Sequence, residues 1–325
     1  MLVLSLTGTA LSFFMAAYAR SGWMLFAARA LDGITAGNIS VASAVIADTT
    51  IGKDRAKGFG IIGAAFGFGF VFGPAIAGLT IRFGMGTPFL VAGIVSVLAV
   101  VATMVFLDET NTHEKAAAKG KLFDFKRFVF SVFDKNVGII FFLGMAFSFA
   151  HSMYTYAFQP FATHVFGMSV AQISYIFMGI GVVGLIAQAG FVGRAVKVFG
   201  ESRALSIAFF LEGILFMLLF FAQSLWIFIG MVIVLSFISS FVGPISQTIL
   251  SKETDAVSQG SVMGLFSSYT SIGTIFGPIA GGMITSISPR LPFLAIACMV
   301  FFCFILSVAK IRSHIKEKLH AFASR

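Results

Sequence analysis

The sequence predicts an all-α integral membrane protein, and three observations carry that prediction. Of its 325 residues, 58% are apolar and only 11% are charged, against about 25% charged in a soluble domain. The mean hydropathy is +0.99. Ten apolar segments long enough to cross a bilayer follow one another with short polar loops between them. Such a chain lacks the polar residues to cover itself, so its outer surface meets lipid, and no stretch is left over for a soluble catalytic domain. The net charge of +9 sits in short loops rather than on one patch beside aromatics, which argues against a nucleic-acid partner.

The segments are expected near 1–19, 23–47, 58–81, 86–107, 137–158, 170–191, 204–222, 225–250, 260–286 and 291–311. In the first, Ala17-Tyr18-Ala19 resembles a signal-peptide cleavage site, but no basic n-region precedes it and no disulfide-rich domain follows. It is therefore read as a span. The second holds Arg29 and Asp32, the fifth His151 and Tyr154, the sixth Gln188 and the seventh Glu212. The third and ninth are glycine-rich and carry Pro74 and Pro278. The last holds both cysteines, Cys298 and Cys303; five residues apart, they point to different sides of a helix and form no disulfide. The expected organisation is a four-helix bundle over 1–107, a cytoplasmic loop over 108–136, a six-helix bundle over 137–311 and a basic tail over 312–325. Within the loop, Leu122 to Asn136 reads either as an amphipathic surface helix or as a solvated linker.

Loop charge sets the orientation. Alternate loops and the C-terminal tail hold eighteen Lys and Arg residues, while the opposite loops hold only Arg20, Arg82 and Arg290. Both termini are therefore expected in the cytoplasm.

An internal repeat organises the glycines. Gly69-x3-Gly73-Pro74-x3-Gly78 recurs as Gly273-x3-Gly277-Pro278-x2-Gly281-Gly282 at an offset of 204, and Gly60 falls on Gly264. Parallel repeats of a six-helix unit are a transporter architecture. In that register residue 205 pairs with residue 1, so the fifth and sixth segments have no first-half partner. About 65 residues, two helices and a loop, are expected to precede Met1 in a full-length protein. The dinucleotide-like pattern GxGxxG occurs from Gly58 and from Gly179, inside apolar helices with no strand before it, so a nucleotide-binding reading fails on context. Any single glycine of the repeat also fits plain helix packing.

Arg29-x3-Gly33, Ala47-Asp48 closing the same segment, the Gly69-x3-Gly73-Pro74 run and Gly193-x6-Gly200-Glu201-x-Arg203 resemble the major facilitator superfamily. Asp32-Gly33-Ile34-Thr35, Ile46 to Thr50 and Gln188-Ala189 are similar to the drug/proton antiporters that include tetracycline exporters. The resemblance spans the whole chain, as helices three to twelve of a twelve-helix fold. It implies that the glycine-proline motif brings helices together around a central cavity. It also implies a cytoplasmic charge latch at Asp48, Arg55, Gly193, Gly200 and Arg203. The latch departs from the family pattern because Lys197 stands where the signature has an acid. A second departure is Gly184, which occupies the position, four before Gln188, where tetracycline exporters carry a histidine.

Charged groups inside spans are the sharper functional signal, since each costs roughly 2.5–3.5 kcal/mol at mid-bilayer on insertion scales. Arg29 and Asp32, three apart, share a helix face and read equally as a self-neutralising ion pair or as proton-coupling groups. Glu212 has only Ala208, Phe209, Leu215 and Phe216 on its own helix face. It is the expected coupling acid, as the resemblance also implies, and a hydrogen bond to a neighbouring helix is the structural alternative. His151, Tyr154 and Gln188 are candidates for a substrate cavity, with interhelical hydrogen bonds as the bland reading.

The expected function is secondary transport, a proton-coupled efflux of a lipophilic small molecule by a monomer with no cofactor and no metal. No GxxxxGK[ST] phosphate loop is present to use ATP. No constellation of catalytic residues supports an enzyme. A transport-inactive remnant is the alternative, given the unpaired register.

Overall fold

The computed structural model describes residues 1–49, 53–107, 137–254 and 259–323. Every regular element among them is helical. They are α1 (Leu2–Ala17), α2 (Gly22–Thr35), α3 (Asn38–Thr49), α4 (Lys53–Thr80), a 3₁₀ turn (Ile81–Phe83), α5 (Thr87–Phe106), α6 (Gly138–Phe166), α7 (Val170–Gly190), α8 (Val192–Phe199), α9 (Glu201–Phe220), α10 (Leu225–Lys252), α11 (Gln259–Thr285) and α12 (Leu291–Ala323). The expected amphipathic helix over 122–136 lies outside the described residues.

Among the described residues, six stretches are long and apolar enough to cross a membrane: α5, α6, α7, α9, α10 and Leu291–Ala309 of α12. The second expected segment is not one helix. It breaks after Thr35, where Ala36 takes an extended conformation with ψ at 107°. The freed Gly37 N–H donates to Ser5 Oγ at 3.1 Å, so the break leaves no orphaned amide there. The expected loop 192–203 likewise contains a helix, α8. It ends at Gly200, whose φ of +75° places it in a region L-residues rarely adopt.

The chain forms two compact units, Met1–Gly120 with Val170–Met178, and Lys121–Ser169 with Gly179–Arg325. In the first, α1 packs on α2 and α5. A ladder of polar pairs runs down the antiparallel α1/α2 seam: Ser5 with Gly37, Thr9 with Asp32, and Ser12 with Arg29. On the other side of α1, Gly93 of α5 lies under the Phe14 ring, which a Cβ there would approach to 3.0 Å.

In the second unit α6 packs on α11, and α9 lies between α10 and α12. Phe158, Phe161, Phe228 and Phe293 are fully buried, with ring centroids 4.8 Å apart for Phe161 and Phe293 and 5.3 Å for Phe158 and Phe228. Many hydroxyls serve their own helix. Ser96 donates to the Ala92 carbonyl at 2.9 Å, Thr103 to Ala99 at 2.8 Å and Thr248 to Pro244 at 2.8 Å. Back-bonding of this kind satisfies the hydroxyl where no water is present.

Candidate functional site

Glu212 sits near the middle of α9 with 1% of its surface exposed. Its Oε1 accepts a hydrogen bond from Ser239 Oγ on α10. Its Oε2 is buried and has no hydrogen-bond partner among the described residues. Cys303 of α12 is also buried. At the next residue, Gly213 lets the Phe301 ring of α12 close on α9, since a Cβ there would lie 2.8 Å from it. The carboxyl is thus buried in the α9/α10 seam, with α12 packed on α9 at the adjoining residue. An ionised carboxylate with one donor is costly in such a place, and the neutral acid is far less so.

Arg29 and Asp32 do share a face, with Arg29 Nη1 3.5 Å from Asp32 Oδ2. Each is also bound to α1, Arg29 donating to the buried Ser12 Oγ at 2.7 Å and Asp32 accepting from Thr9 Oγ1 at 2.9 Å. The guanidinium lies 5.3 Å from the Phe13 ring centroid. This pair belongs to the first unit and Glu212 to the second.

His151 and Tyr154 lie on α6 in one run of rings. His151 is exposed and stacks on Phe147 at 5.9 Å, with Tyr154 at 6.2 Å. Tyr154 is buried against Phe158, Phe216 and Phe293. Gln188 is exposed on α7. Beside it, Gly184 faces α10, where a Cβ would stand 3.2 Å from Ser240 Oγ. Ser236 Oγ of α10 donates to the Ile180 carbonyl at 2.8 Å, closing the same seam.

The two copies of the glycine-proline motif have different surroundings. In α11, Gly273 and Gly277 lie on the α6 main chain: a Cβ at Gly273 would come 2.7 Å from Phe149 N, and one at Gly277 would come 2.9 Å from Met153 N. Ser152 Oγ donates across to the Gly273 carbonyl at 3.3 Å. In α4, Gly69 and Gly73 have nothing within 4 Å of a built Cβ among the described residues, and only Gly78 meets a neighbour, Ser174 of α7, at 3.1 Å. Pro74 and Pro278 both lie inside their helices. Of the latch residues, the side chains of Asp48 and Arg55 lie outside the described residues. Gly193 opens α8, Gly200 closes it, and Arg203 is exposed in the first turn of α9.

Three contributors escaped the sequence reading. Ser239 is one hydroxyl among several on α10. The second is the ion pair of Lys252 with Glu201, which ties the C-terminal end of α10 to the N-terminal end of α9. The third is Arg290, whose Nη1 donates to the Phe220 carbonyl at 3.0 Å and the Ala222 carbonyl at 2.8 Å. It covers carbonyls left open at the end of α9 and stacks 5.6 Å from the Phe161 centroid. Its place as the lone basic residue in its loop was the available signal. Among the described residues no three His, Cys, Asp or Glu side chains group as a metal site.

The sequence profile of the Major Facilitator Superfamily matches twice, over residues 1–188 and 140–322. The class B tetracycline resistance protein of Escherichia coli is 28% identical over 310 residues, 94% of this chain and 77% of that protein. Multidrug resistance protein 1 of Bacillus subtilis is 32% identical over 296 residues, 90% of this chain and 75% of that one. Among solved structures, the human organic anion transporter MFSD10 superposes with a TM-score of 0.70 at 22% identity, covering 94% of this chain and 76% of its own. The nucleoside transporter NupG gives a TM-score of 0.71 at 15% identity, covering 95% and 82%.

Proposed function

This chain belongs to the Major Facilitator Superfamily as a multi-pass, non-enzymatic secondary transporter, and we propose that it works as a proton-coupled antiporter exporting a lipophilic, cationic small molecule. The observation that carries this reading is Glu212, an acid buried in the α9/α10 seam with one oxygen unpartnered among the described residues. Neutral, the carboxyl fits that seam. Ionised, it favours any rearrangement that brings it a donor, water or a cation. Proton release to the less acidic cytoplasm therefore biases the bundle toward one arrangement, and proton uptake from the other side biases it back. A bias of this kind needs only that the two arrangements differ in how well they tolerate the charge.

The resistance proteins among the relatives support export. Tetracycline is a poor candidate substrate. Position 184, where the resemblance calls for histidine, is a glycine packed on Ser240. Ten spans, corresponding to helices three to twelve of twelve, and cytoplasmic termini complete the reading. Trp23 and Trp226, 80% and 79% exposed, lie in the first turns of α2 and α10, as aromatics at a membrane interface do.

The test is reconstitution of the full chain in proteoliposomes with an imposed pH gradient and ethidium as the lipophilic cation. Glu212→Gln keeps the shape and hydrogen bonding of the side chain but not its titration. The expected outcome is loss of uphill ethidium transport with ethidium exchange retained. Uphill transport near the wild-type rate in that variant refutes the assignment, and no transport by the wild-type chain favours the inactive alternative.

A further inference from the structure

We infer that Ser239 is the positioning residue of the proton site, holding the Glu212 carboxyl in the α9/α10 seam and setting the pH at which that carboxyl exchanges its proton. The inference rests on Glu212 as the coupling acid. A serine hydroxyl has one proton to give. Other hydroxyls of α10 give theirs away: Ser240 to the Ser236 carbonyl at 2.7 Å, Thr248 to Pro244 at 2.8 Å, and Ser236 to Ile180 at 2.8 Å. Ser239 gives its proton to Glu212 Oε1. Since Oε2 has no partner among the described residues, this is the single donor that the carboxyl has there.

The groups around Glu212 leave Ser239 as the controlling neighbour. From α12 the titratable group is Cys303, a weak donor. From α6, Tyr154 stands behind the Phe216 ring and His151 behind Phe147, which meets Phe209. From α8, Arg194 is held by the Gly190 carbonyl at 2.8 Å, and Lys197 is exposed at the helix end. From α10, Lys252 is engaged by Glu201. No basic group faces the carboxyl among the described residues.

A donor to a carboxyl group helps its ionised form more than its neutral form, because bonds to charged groups are about twice as strong. Removing the Ser239 hydroxyl therefore penalises the carboxylate selectively. Proton release then requires a more alkaline solution, by about one pH unit for a hydrogen bond of ordinary strength.

The experiment is an infrared pH titration of the full chain in lipid nanodiscs, following the protonated-carboxyl C=O band that Glu212→Gln removes. Ser239→Ala is expected to move the midpoint of that band about one pH unit alkaline, while Ser239→Thr, which keeps the hydroxyl, stays at the wild-type midpoint. Ser239→Gly serves as a second hydroxyl-free variant and moves it the same way. A purely structural role would change thermal stability and leave the midpoint in place. An unmoved or acid-shifted midpoint in the hydroxyl-free variants, or an equal shift in Ser239→Thr, overturns the inference, as does the absence of any band that Glu212→Gln removes. The ethidium assay on Glu212→Gln separately decides the transport reading, so the two can fail independently.

Discussion

Substituting alanine at Gly277 and at Gly73 tests whether the two copies of one motif do the same physical work. At Gly277 the added methyl group would fall on Ser152 Oγ and lie 2.5 Å from the Phe149 carbonyl oxygen and 2.9 Å from Met153 N. Two of these three atoms are α6 main chain, so no side-chain rotation relieves the overlap and the helices must separate. Overpacking of this kind costs about 1–3 kcal/mol, partly offset by the roughly 1 kcal/mol that alanine gains over glycine in a helix. At Gly73 no described atom lies within 4 Å of the built Cβ, so only the propensity gain applies. The two variants should therefore differ by about 2 kcal/mol, with opposite signs relative to wild type. Thermal unfolding in one detergent, at about 2–4 °C per kcal/mol, should put Gly277→Ala at least about 4 °C below Gly73→Ala, and Gly277→Val lower still. Equal midpoints, or Gly73→Ala the less stable, would refute the packing argument.

Arg290→Ala should lower stability by about 1–3 kcal/mol, because it uncovers the Phe220 and Ala222 carbonyls at the end of α9; Arg290→Lys should recover only part, having no planar group to stack on Phe161, and a variant Tm equal to wild type would contradict this. Gly184→His should lower the Tm by forcing α7 from Ser240, and adding Ser240→Gly should restore much of the loss; additive effects of the two changes would show that they do not meet.

The helices were legible because hydropathy acts over twenty residues at a time, and α5 or α10 needs no partner to be recognised. Arg29 and Asp32 were legible because a spacing of three fixes a shared face. Glu212 stood out by cost alone. What stayed hidden depends on which helix lies beside which. Ser239 is 27 positions from Glu212 on another helix, and nothing in its own segment distinguishes it from Ser240. The motif copies share their glycine-proline spacing, yet only the one in α11 rests on a neighbouring backbone among the described residues. The break at Gly37 escaped for a related reason: the hydropathy of 23–47 is continuous across it, and the group that makes it tolerable, Ser5, lies on α1. Arg290 was counted as a loop charge, whereas its three contacts lie at the end of α9, just beyond that end, and on α6.

The hydroxyls that bond within their own helix divide this chain's alphabet in two. Thr103, its proton committed to Ala99, shows hydrocarbon a face much like that of valine, and the two are interchangeable there at little energetic consequence. Thr9, Ser12, Ser152 and Ser239 carry the same functional group, but each donates or accepts across a seam. These four cannot drift independently of the residues opposite them. A chain with few charges thus encodes which of its helices touch in the destination of single protons, and a survey of Ser/Thr-to-apolar exchanges would read out the neighbour map of each unit without a structure.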